Sequence, residues 1–463
     1  MIPPKPASRP DKVSLWRYLK LFRADILSAQ PARLYRAWMA EFRTPFFRSY
    51  LCNDPALIDL VLKERPGDFP KSDRVREGLA ALLGRSVFLT NGAEWRRQRR
   101  IIDPAFERGR LHDTFPAMRA AARAARDRLR GRAEEIVEIE AEASHAAADV
   151  IFRTLFSIPI EHKIAAEVFD QFRAHQKAQP LLNLAAFLPL PRVFPRFHRP
   201  RTMATARAIR ALITQLTEER MTAIRAGTAP DDLATKIMTT RDPETGRPFD
   251  TAEMVDQVAI FFLAGHETSA SALAWALYLL AAFPEAQDRV AAEVADIPDD
   301  VGFSDISRLT FTRDVFREAL RLYPPVPMMV RQNLRPETLR GRAVVPGAQI
   351  VLSPWHVHRH ERLWERPDAF DPDRWQSDAG RRASRAGFLP FSAGPRVCPG
   401  AGFAMVEGPL LLAFLIRDLR FATVPGRDPV PEAHLTVRSR SGIHLAVTFR
   451  DATSHLVSRL KQS

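Results

Sequence analysis

The chain has 463 residues, of which 46% are hydrophobic and 26% are charged. This balance excludes an intrinsically disordered protein, and the length is sufficient for one large hydrophobic core. The formal net charge is +14, but the arginines are scattered along the chain and form no basic tail. We therefore expect no nucleic-acid binding, and we expect that the charge serves an acidic protein partner.

The two cysteines, Cys52 and Cys398, lie far apart in the sequence. One such pair excludes a disulfide scaffold and a zinc site with four cysteine ligands. Cys52 follows an apolar stretch, and we predict that it packs at the end of a strand. This leaves Cys398 as the cysteine available for chemistry.

Residues 1–30 are predicted to form a polar, proline-rich tail and a short first helix, and residues 31–463 a single domain. The tail has no apolar segment of the length that a signal peptide or a membrane anchor needs. We therefore expect a soluble, cytoplasmic and monomeric protein.

The first elements of this domain are a predicted helix over Leu34–Phe42 and a strand over 45–51. Asp54 is placed to cap a helix that starts at Pro55. Arg48 and Tyr50 on the strand are candidate anchors for a substrate carboxylate.

Trp95 and Arg99 are four residues apart in the stretch GAEWRRQRR, so they share one face of a predicted helix. An indole N–H and a guanidinium are donors without acceptor atoms, which suits the binding of a buried carboxylate. The alternative is a solvated basic helix face.

Residues 111–178 are rich in alanine and predicted to be helical, whereas the prolines of residues 180–200 exclude a long helix there. Because that segment is apolar, it predicts a lid over an apolar entrance, a weak membrane contact or a buried loop between helices.

A long apolar helix is predicted from Thr251 to Phe283, before Pro284. The polar residues in its middle argue against a membrane span, so we expect it to cross the core. Gly265 permits a close approach and a local distortion of the helix. Glu267 and Thr268 are polar groups within an apolar element and need partners there. The alternative is a threonine that merely kinks the helix.

A further helix over Phe311–Tyr323 places Glu318 and Arg321 three residues apart, where they can form an ion pair. The prolines that follow predict an extended segment. Extended β-rich parts are expected near 326–352 and near 434–449, the latter as a C-terminal hairpin that turns near Gly442.

Cys398 lies in the stretch FSAGPRVCPG, just ahead of a strongly periodic helix. The N-terminus of a helix stabilises a thiolate, and Arg396 adds positive potential. The alternative is a structural cysteine in a loop of glycine and proline.

The pattern Phe391-x-x-Gly394-x-Arg396-x-Cys398-x-Gly400 resembles the haem-binding loop of the cytochrome P450 family. The stretch AGHET around Glu267 is similar to the oxygen-binding helix of that family. The resemblance extends in order from Trp95 to Gly400. It implies a mainly α fold with a small β-rich lobe, in which haem lies between the long central helix and the Cys398 loop.

The resemblance also implies a role for each matching residue. Cys398 would be the axial iron ligand of a non-covalently bound haem b, and Glu267 and Thr268 would deliver protons to dioxygen. The residues implied to bind the cofactor are Trp95, Arg99, Gly265, Arg331, Phe391, Gly394, Arg396 and Gly400. The implied structural charge network is Glu318, Arg321 and Arg374. The residues expected to line the substrate pocket are Phe262, Ala264, Val326, Met328 and Met329.

The reaction implied by the resemblance is insertion of one oxygen atom of O2 into an apolar substrate, such as a fatty acid, a terpenoid or a similar lipid. The sequence shows no glycine-rich dinucleotide fingerprint, so electrons must come from a separate ferredoxin or reductase. Arg381, Arg382 and Arg385 are candidate contacts for that donor. Two alternatives stay open, namely a peroxide-driven fatty-acid peroxygenase and a non-catalytic haem-binding or sensor protein.

Overall fold

The computed structural model describes residues 2–43, 48–178 and 200–450, and helices account for most of them. The α-helices are Leu15–Ala24 (α1), Pro55–Asp59 (α2), Asp73–Leu83 (α3), Gly92–Ile102 (α4), Arg108–Arg130 (α5), Ile139–Phe156 (α6), Lys163–Ala178 (α7), Pro200–Arg225 (α8), Leu233–Thr239 (α9), Thr251–Ala282 (α10), Pro284–Val294 (α11), Thr310–Leu322 (α12), Pro354–Val357 (α13), Asp378–Gly387 (α14) and Ala401–Asp418 (α15). Short 3-10 turns connect them at Ala32–Tyr35, Asp103–Phe106, Phe303–Arg308, Pro372–Gln376 and Gly394–Arg396, and α2 continues as a π-helical turn over Leu60–Glu64.

The strands form four small sheets at the edges of this helical body. They are Met39–Arg43 (β1), Arg48–Cys52 (β2), Glu135–Glu138 (β3), Met329–Gln332 (β4), Glu337–Leu339 (β5), Arg342–Val344 (β6), Gln349–Leu352 (β7), Leu419–Thr423 (β8), Pro431–Ala433 (β9), Val437–Ser439 (β10) and His444–Phe449 (β11). The orders are β1-β2-β7-β4, β3-β11-β8, β10-β9 and β5-β6. The expected class, mainly α with a small β component, is confirmed.

The helix α10 runs through the centre of the described chain. It begins with a capping box, in which Asp250 and Glu253 each accept a hydrogen bond from the other's backbone N–H. Its 32 residues span about 48 Å at ~1.5 Å per residue. Residues along its whole length are buried, including the polar His266 and Glu267. Among the described residues no single helix has the length and composition of a membrane span, and only α10 with α11, bent by 111°, passes that test as a pair.

The predicted helix over Leu34–Phe42 is wrong. The chain instead makes a 3-10 turn over Ala32–Tyr35 and then the strand β1, which pairs with β2 as an antiparallel hairpin. Ala40 and Leu51 pack with Leu34 in a small cluster, so pairing with β2 and this packing override the local helical preference. The predicted strand is found at 48–52, and residues 45–47 of that prediction lie outside the described residues.

The C-terminal hairpin is also wrong. The strand β10 pairs with β9, whereas β11 pairs with β8 on one side and with β3 on the other. Gly442 does adopt a left-handed φ of +78°, but it connects two different sheets. The strand β3 falls within the stretch that was predicted to be helical.

Other local predictions are confirmed or cannot be compared. Asp54 caps α2 by accepting from the Ala56 N–H, and Cys52 is fully buried at the end of β2. The N-terminal tail packs on the body, because the Tyr323 hydroxyl donates to the carbonyl oxygen of Pro4 at 2.8 Å. The predicted lid over 180–200 lies, apart from Pro200, outside the described residues.

Candidate active site

The loop from Phe391 to Gly400 holds Cys398 in a defined turn ahead of α15. The Cys398 N–H donates to the carbonyl oxygen of Phe391 at 2.9 Å, and the Ala401 N–H donates to the carbonyl oxygen of Cys398 at 3.2 Å. Gly394 has a φ of +66°, and a Cβ at this position would lie 1.9 Å from the carbonyl oxygen of Leu62. Glycine is therefore required there for both conformation and space.

The side chain of Cys398 is solvent-accessible, whereas that of Cys52 is buried. Burial by the surrounding protein nevertheless raises the pKa of the Cys398 thiol, while the Gly400 N–H and the Arg99 charge act to lower it. A side chain that is accessible and also surrounded by protein lines an internal opening. A metal cation bound there would convert the thiol to a thiolate.

Trp95 and Arg99, the predicted donors on α4, lie directly against the cysteine loop. Arg99 donates from Nη1 to the carbonyl oxygen of Val397 at 2.7 Å. The Arg396 guanidinium lies 4.3 Å from the centre of the Trp95 ring and donates to Asn91 Oδ1 at 2.9 Å. The structure thus brings together three residues that the sequence assigned to one anion site.

Arg331 and Lys71 complete a cluster of four cations with Arg99 and Arg396. Arg331 is 7% exposed, and burial together with Arg396 lowers its pKa to about 10. Burial and its three arginine neighbours lower the pKa of Lys71 well below the ordinary value. Burial and Arg99 likewise lower the pKa of Arg396 to about 10.

The four cations of this cluster have only one carboxylate of the described residues within ion-pair distance. Arg99 Nε lies 2.7 Å from Asp103 Oδ1, although without the angle of a hydrogen bond. No other carboxylate of the described residues is within ion-pair distance of the cluster. Four closely spaced cations with a single carboxylate partner favour an anionic ligand. The cluster therefore fits the carboxylate groups of a haem beside Cys398.

Lys71 and Asn91 are site residues that the sequence reasoning missed. Lys71 forms a β-bridge with Arg331, and its Nζ donates to the carbonyl oxygen of Val87 at 2.7 Å. Asn91 accepts from the Lys71 N–H at 3.0 Å, in addition to its bond with Arg396. A single lysine and a single asparagine carry no motif, because pairing between distant segments places them here.

One face of α10 opens to an internal space. Ala264 is exposed and Thr268 is partly exposed, although most of the helix around them is buried. The Thr268 hydroxyl donates to the carbonyl oxygen of Ala264, one turn earlier. An exposed alanine in the centre of a core helix leaves room for a planar group or a small substrate.

The structure does not bring Phe262 and Gly265 to that face. Phe262 packs among the aromatic rings of α6 and α7, with its ring centre 4.4 Å from that of Phe152. A Cβ on Gly265 would lie 2.4 Å from Ile151 Cδ1, so this glycine makes room for α6. The helix stays α-helical through Gly265, and the close approach that this glycine permits is made by α6.

Glu267 points away from Thr268, toward the C-terminal strands. Its Oε1 accepts from the Thr436 hydroxyl at 2.7 Å and from Arg438 Nη2 at 3.3 Å. The Arg438 side chain is 37% exposed, so the ion pair reaches solvent. The carboxyl group of Glu267 and the hydroxyl of Thr268 are thus adjacent in sequence, but the first faces the C-terminal strands and the second faces the open side of the helix.

The predicted apolar wall is divided between two cores. Val326, Met328 and Met329 are all partly exposed. Met328 packs on the helical core that contains α10, whereas Met329 packs under the first sheet. Met328 precedes β4 and Met329 is its first residue, and only Met328 shares the core of α10.

The anchoring role predicted for Tyr50 is wrong. Tyr50 is 1% exposed, and its hydroxyl lies 3.3 Å from both Glu41 Oε1 and the carbonyl oxygen of Ala343. A buried hydroxyl beside a carboxylate does not recruit a second carboxylate. Arg48 is exposed at the start of β2.

The predicted charge network is present. Glu318 Oε1 accepts from Arg321 Nη2 at 2.7 Å and from Arg374 Nε at 3.0 Å, and all three side chains are buried. Both arginines also donate to backbone carbonyl oxygens of the segment 358–369. The network therefore fastens this irregular segment to α12.

Comparisons with known proteins place this geometry in context. A family model described as Cytochrome P450 matches residues 42–446. Cyclooctat-9-en-7-ol 5-monooxygenase of Streptomyces melanosporofaciens is 33% identical, over 89% of this chain and 87% of that protein. Pentalenene oxygenase of Streptomyces avermitilis is 31% identical, over 82% of each chain. The crystal structure of the cytochrome P450DA heme domain superposes with a TM-score of 0.80 over 98% of each chain, at 23% identity, which shows the fold alone.

Proposed function

Because the chain belongs to the cytochrome P450 family of haem-thiolate monooxygenases, we propose that it oxygenates an apolar terpenoid or similar lipid with electrons from a separate protein. The observation that carries the proposal is a cluster of four cations with one carboxylate partner, Asp103, beside an accessible cysteine. The haem, when bound, supplies the chemistry by which one atom of O2 enters the substrate and the other becomes water.

The residues proposed for the cofactor lie on the cysteine loop and in the cation cluster. Cys398, on a loop fixed by its bond to Phe391, would supply a thiolate to the iron. Arg99, Arg331, Arg396 and Lys71 are assigned to the haem carboxylates, with the Trp95 N–H as a further donor. Gly394 makes room for the Leu62 carbonyl group, and a Cβ on Gly400 would lie 3.9 Å from the Cys398 sulfur.

Thr268 is assigned to hold a proton beside the reacting oxygen. Its hydroxyl already donates to the carbonyl oxygen of Ala264, so its lone pairs remain free to accept from water. Rotation about the Cβ–Oγ1 bond lets the same hydroxyl donate toward the open face. Both actions require the hydroxyl and not the shape of the side chain.

Glu267 is assigned to proton supply from solvent. Its bonds to Thr436 and to the half-exposed Arg438 connect the middle of α10 with the protein surface. A carboxylate that exchanges protons with water through this ion pair can recharge the site between turnovers. In this arrangement Glu267 governs the turnover rate, whereas Thr268 governs whether oxygen enters the substrate or is released as hydrogen peroxide.

The substrate assignment rests on apolar surroundings and on the relatives. Ala264, Val326 and Met328 offer an apolar surface of adaptable shape, to which methionine contributes its flexible side chain. Two of the relatives are named as oxygenases of cyclooctat-9-en-7-ol and of pentalenene, which are terpenoids. We therefore place terpenoids ahead of fatty acids.

The electron donor is proposed to be an acidic ferredoxin. Arg381, Arg382 and Arg385 are exposed on α14, and the chain has a net charge of +14. Such steering weakens as salt screens the charges. We further propose a soluble, cytoplasmic monomer.

A binding and turnover panel tests the function. Cyclic terpene hydrocarbons and alcohols, with fatty acids as the comparison set, are titrated against the haem-loaded protein while the Soret band is monitored. We expect a shift with terpenoids, and a product carrying label from isotopic O2 when NAD(P)H, reductase and ferredoxin are added. Product formed only from added peroxide would indicate a peroxygenase, and no shift and no product would indicate a haem-binding protein. Either result would overturn the proposal.

A coupling experiment tests the role of Thr268. Thr268→Ala should retain haem and substrate binding, but lose product by about tenfold or more and release hydrogen peroxide instead. Ser271→Ala is the matched control, because that buried hydroxyl on the same helix donates to the carbonyl oxygen of Val437 at 2.6 Å. Equal coupling in the two variants would remove Thr268 from the mechanism.

A further inference from the structure

The helix α1 presents an outer face that combines a large aromatic side chain with cations. Trp16 is 83% exposed. Lys20 and Arg23 follow it by four and seven residues, so the three exposed side chains share one face of the helix. The other face packs on the body, where Phe22 contacts the helical core. Among the described residues, no salt bridge reaches Lys20 or Arg23.

The positive charge of the chain is concentrated in the part that contains α1. Residues 1–52 include ten basic and three acidic side chains, which gives +7, half of the net charge of +14. Of the three acids, Asp25 is buried and the Glu41 side chain is only 8% exposed, whereas Asp11 is open to solvent. The surface that the described residues of this part form is therefore strongly positive and complements an anionic partner.

A groove lined by arginines adjoins α1. It has a volume of about 470 Å³, and its charged lining residues are Arg33, Arg43, Arg342 and Glu41. Arg9 connects α1 with this groove, because its guanidinium lies 5.5 Å from the ring centre of Tyr18 on α1 and 6.0 Å from that of Phe42 on β1. Guanidinium groups bind phosphate oxygens in pairs of parallel hydrogen bonds, so the groove suits a phosphate-bearing group.

The exposed tryptophan favours a lipid surface over an acidic protein. An acidic protein needs only the cations, whereas a bilayer surface uses both kinds of side chain. Lysine and arginine lie beside lipid phosphates, and tryptophan lies at the level of the headgroups. The ten residues of α1 span about 15 Å at ~1.5 Å per residue, half of the ~30 Å hydrocarbon core, so this helix suits a position on a membrane and not across it.

We propose that α1 and the arginine groove dock the protein reversibly on a membrane surface that contains anionic lipids. Trp16 enters the headgroup region, and Lys20, Arg23 and the arginines of the groove contact lipid phosphates. The docking itself does not depend on the proposed function. Its use rests on that function, because an apolar terpenoid dissolves in the hydrocarbon core and is collected there.

Sedimentation of the haem-loaded protein with lipid vesicles tests the docking. We expect about tenfold more bound protein with vesicles of phosphatidylcholine and phosphatidylglycerol in equal parts than with phosphatidylcholine alone. Binding should fall as NaCl rises to about 1 M, where the Debye length is ~3 Å. Equal binding to the two kinds of vesicle, or binding to neither, would overturn the inference.

Variants of α1 test the face that docks. Lys20→Gln combined with Arg23→Gln should weaken vesicle binding about twentyfold, because each cation beside an anionic leaflet contributes about a factor of five. The matched control is Arg381→Gln combined with Arg382→Gln, which removes the same charge from exposed positions of α14 and should leave vesicle binding unchanged. Equal losses in the two double variants would show that binding follows net charge alone, and would overturn the inference.

Trp16→Ala separates a membrane from an acidic protein. It keeps every cation and should still weaken vesicle binding at least about fivefold, with unchanged haem content and circular dichroism because the side chain is exposed. Vesicle binding as strong as that of the wild type would indicate a surface for acidic proteins and overturn the inference. A wild-type protein that binds vesicles but forms no oxygenated product contradicts the proposed function instead, and leaves the docking in place.

Discussion

Replacing Glu318 by glutamine should cost more stability than any change to a surface ion pair. Glu318 is fully buried and accepts four hydrogen bonds, two from Arg321, one from Arg374 and one from the Asp371 N–H. Glutamine has one acceptor oxygen fewer and no charge, so two buried guanidinium groups lose their counter-ion. Breaking a buried ion pair from one side costs about 3–5 kcal/mol, and we expect a loss in that range.

The matched control is Asp373→Asn, on the other side of the same segment. Asp373 pairs with Arg289 at 2.8 Å, but the two side chains are 61% and 51% exposed, so the loss should stay below about 1 kcal/mol. Urea unfolding of both haem-loaded variants is followed by circular dichroism and by Soret absorbance. If Glu318→Gln loses no more stability than Asp373→Asn, the hydrogen bonds from the arginines to backbone carbonyl oxygens are sufficient to hold the segment 358–369. The ion pairs with Glu318 would then not be what fastens that segment to α12.

Three further changes test the cysteine loop and Glu407, a buried carboxyl group on α15. Gly394→Ala should lose about 2–5 kcal/mol of unfolding free energy and part of its haem, because a Cβ would clash with Leu62. Gly426→Ala, at a similar φ of +75° but with open space, should lose only about 1–2 kcal/mol. Equal losses would show that the contact with Leu62 is not tight. Glu407 has a folded pKa of about 8 against an ordinary 4.5, so its contribution to stability is present below pH 4.5 and is lost as pH rises through 8, by at most about 5 kcal/mol. The unfolding free energy relative to Glu407→Gln should therefore fall between pH 5 and pH 9, and a flat difference would contradict the shift. Pro399→Leu adds an N–H beside the sulfur and should raise the iron potential in a redox titration, and an unchanged or lower potential would count against a donor effect.

The elements that could be predicted from the sequence are those with local signals. The central helix was expected over Thr251–Phe283 and is found over Thr251–Ala282. Both ends could be predicted because the capping residue Asp250 and the proline after the helix act within one turn. The cysteine loop was predictable for the same reason, since its glycines and prolines restrict the backbone directly. The pair Glu318 and Arg321 followed from helical spacing alone.

The features that could not be predicted depend on contacts between separate segments of the chain. Helical propensity suggested a helix over Leu34–Phe42, but pairing with β2 makes part of it a strand. Lys71 joins the cation cluster only through its bridge to Arg331. Glu267 was expected to act beside Thr268, yet Thr436 and Arg438 turn it toward the C-terminal strands. For Lys71 and Glu267 the partner lies far along the chain, and for Leu34–Phe42 it is a neighbouring strand, but the periodicity of a single segment shows neither kind of partner.

The most direct test of the claim that Cys398 binds the haem iron compares a variant of each of the two cysteines. Cys398 is solvent-accessible beside the cation cluster, and Cys52 is buried at a strand end. The reduced wild-type protein and Cys52→Ala, exposed to carbon monoxide, should both show the long-wavelength Soret band of thiolate ligation, and Cys398→Ala should lose it. Retention of that band in Cys398→Ala would contradict the assignment of Cys398 as the ligand of the haem iron.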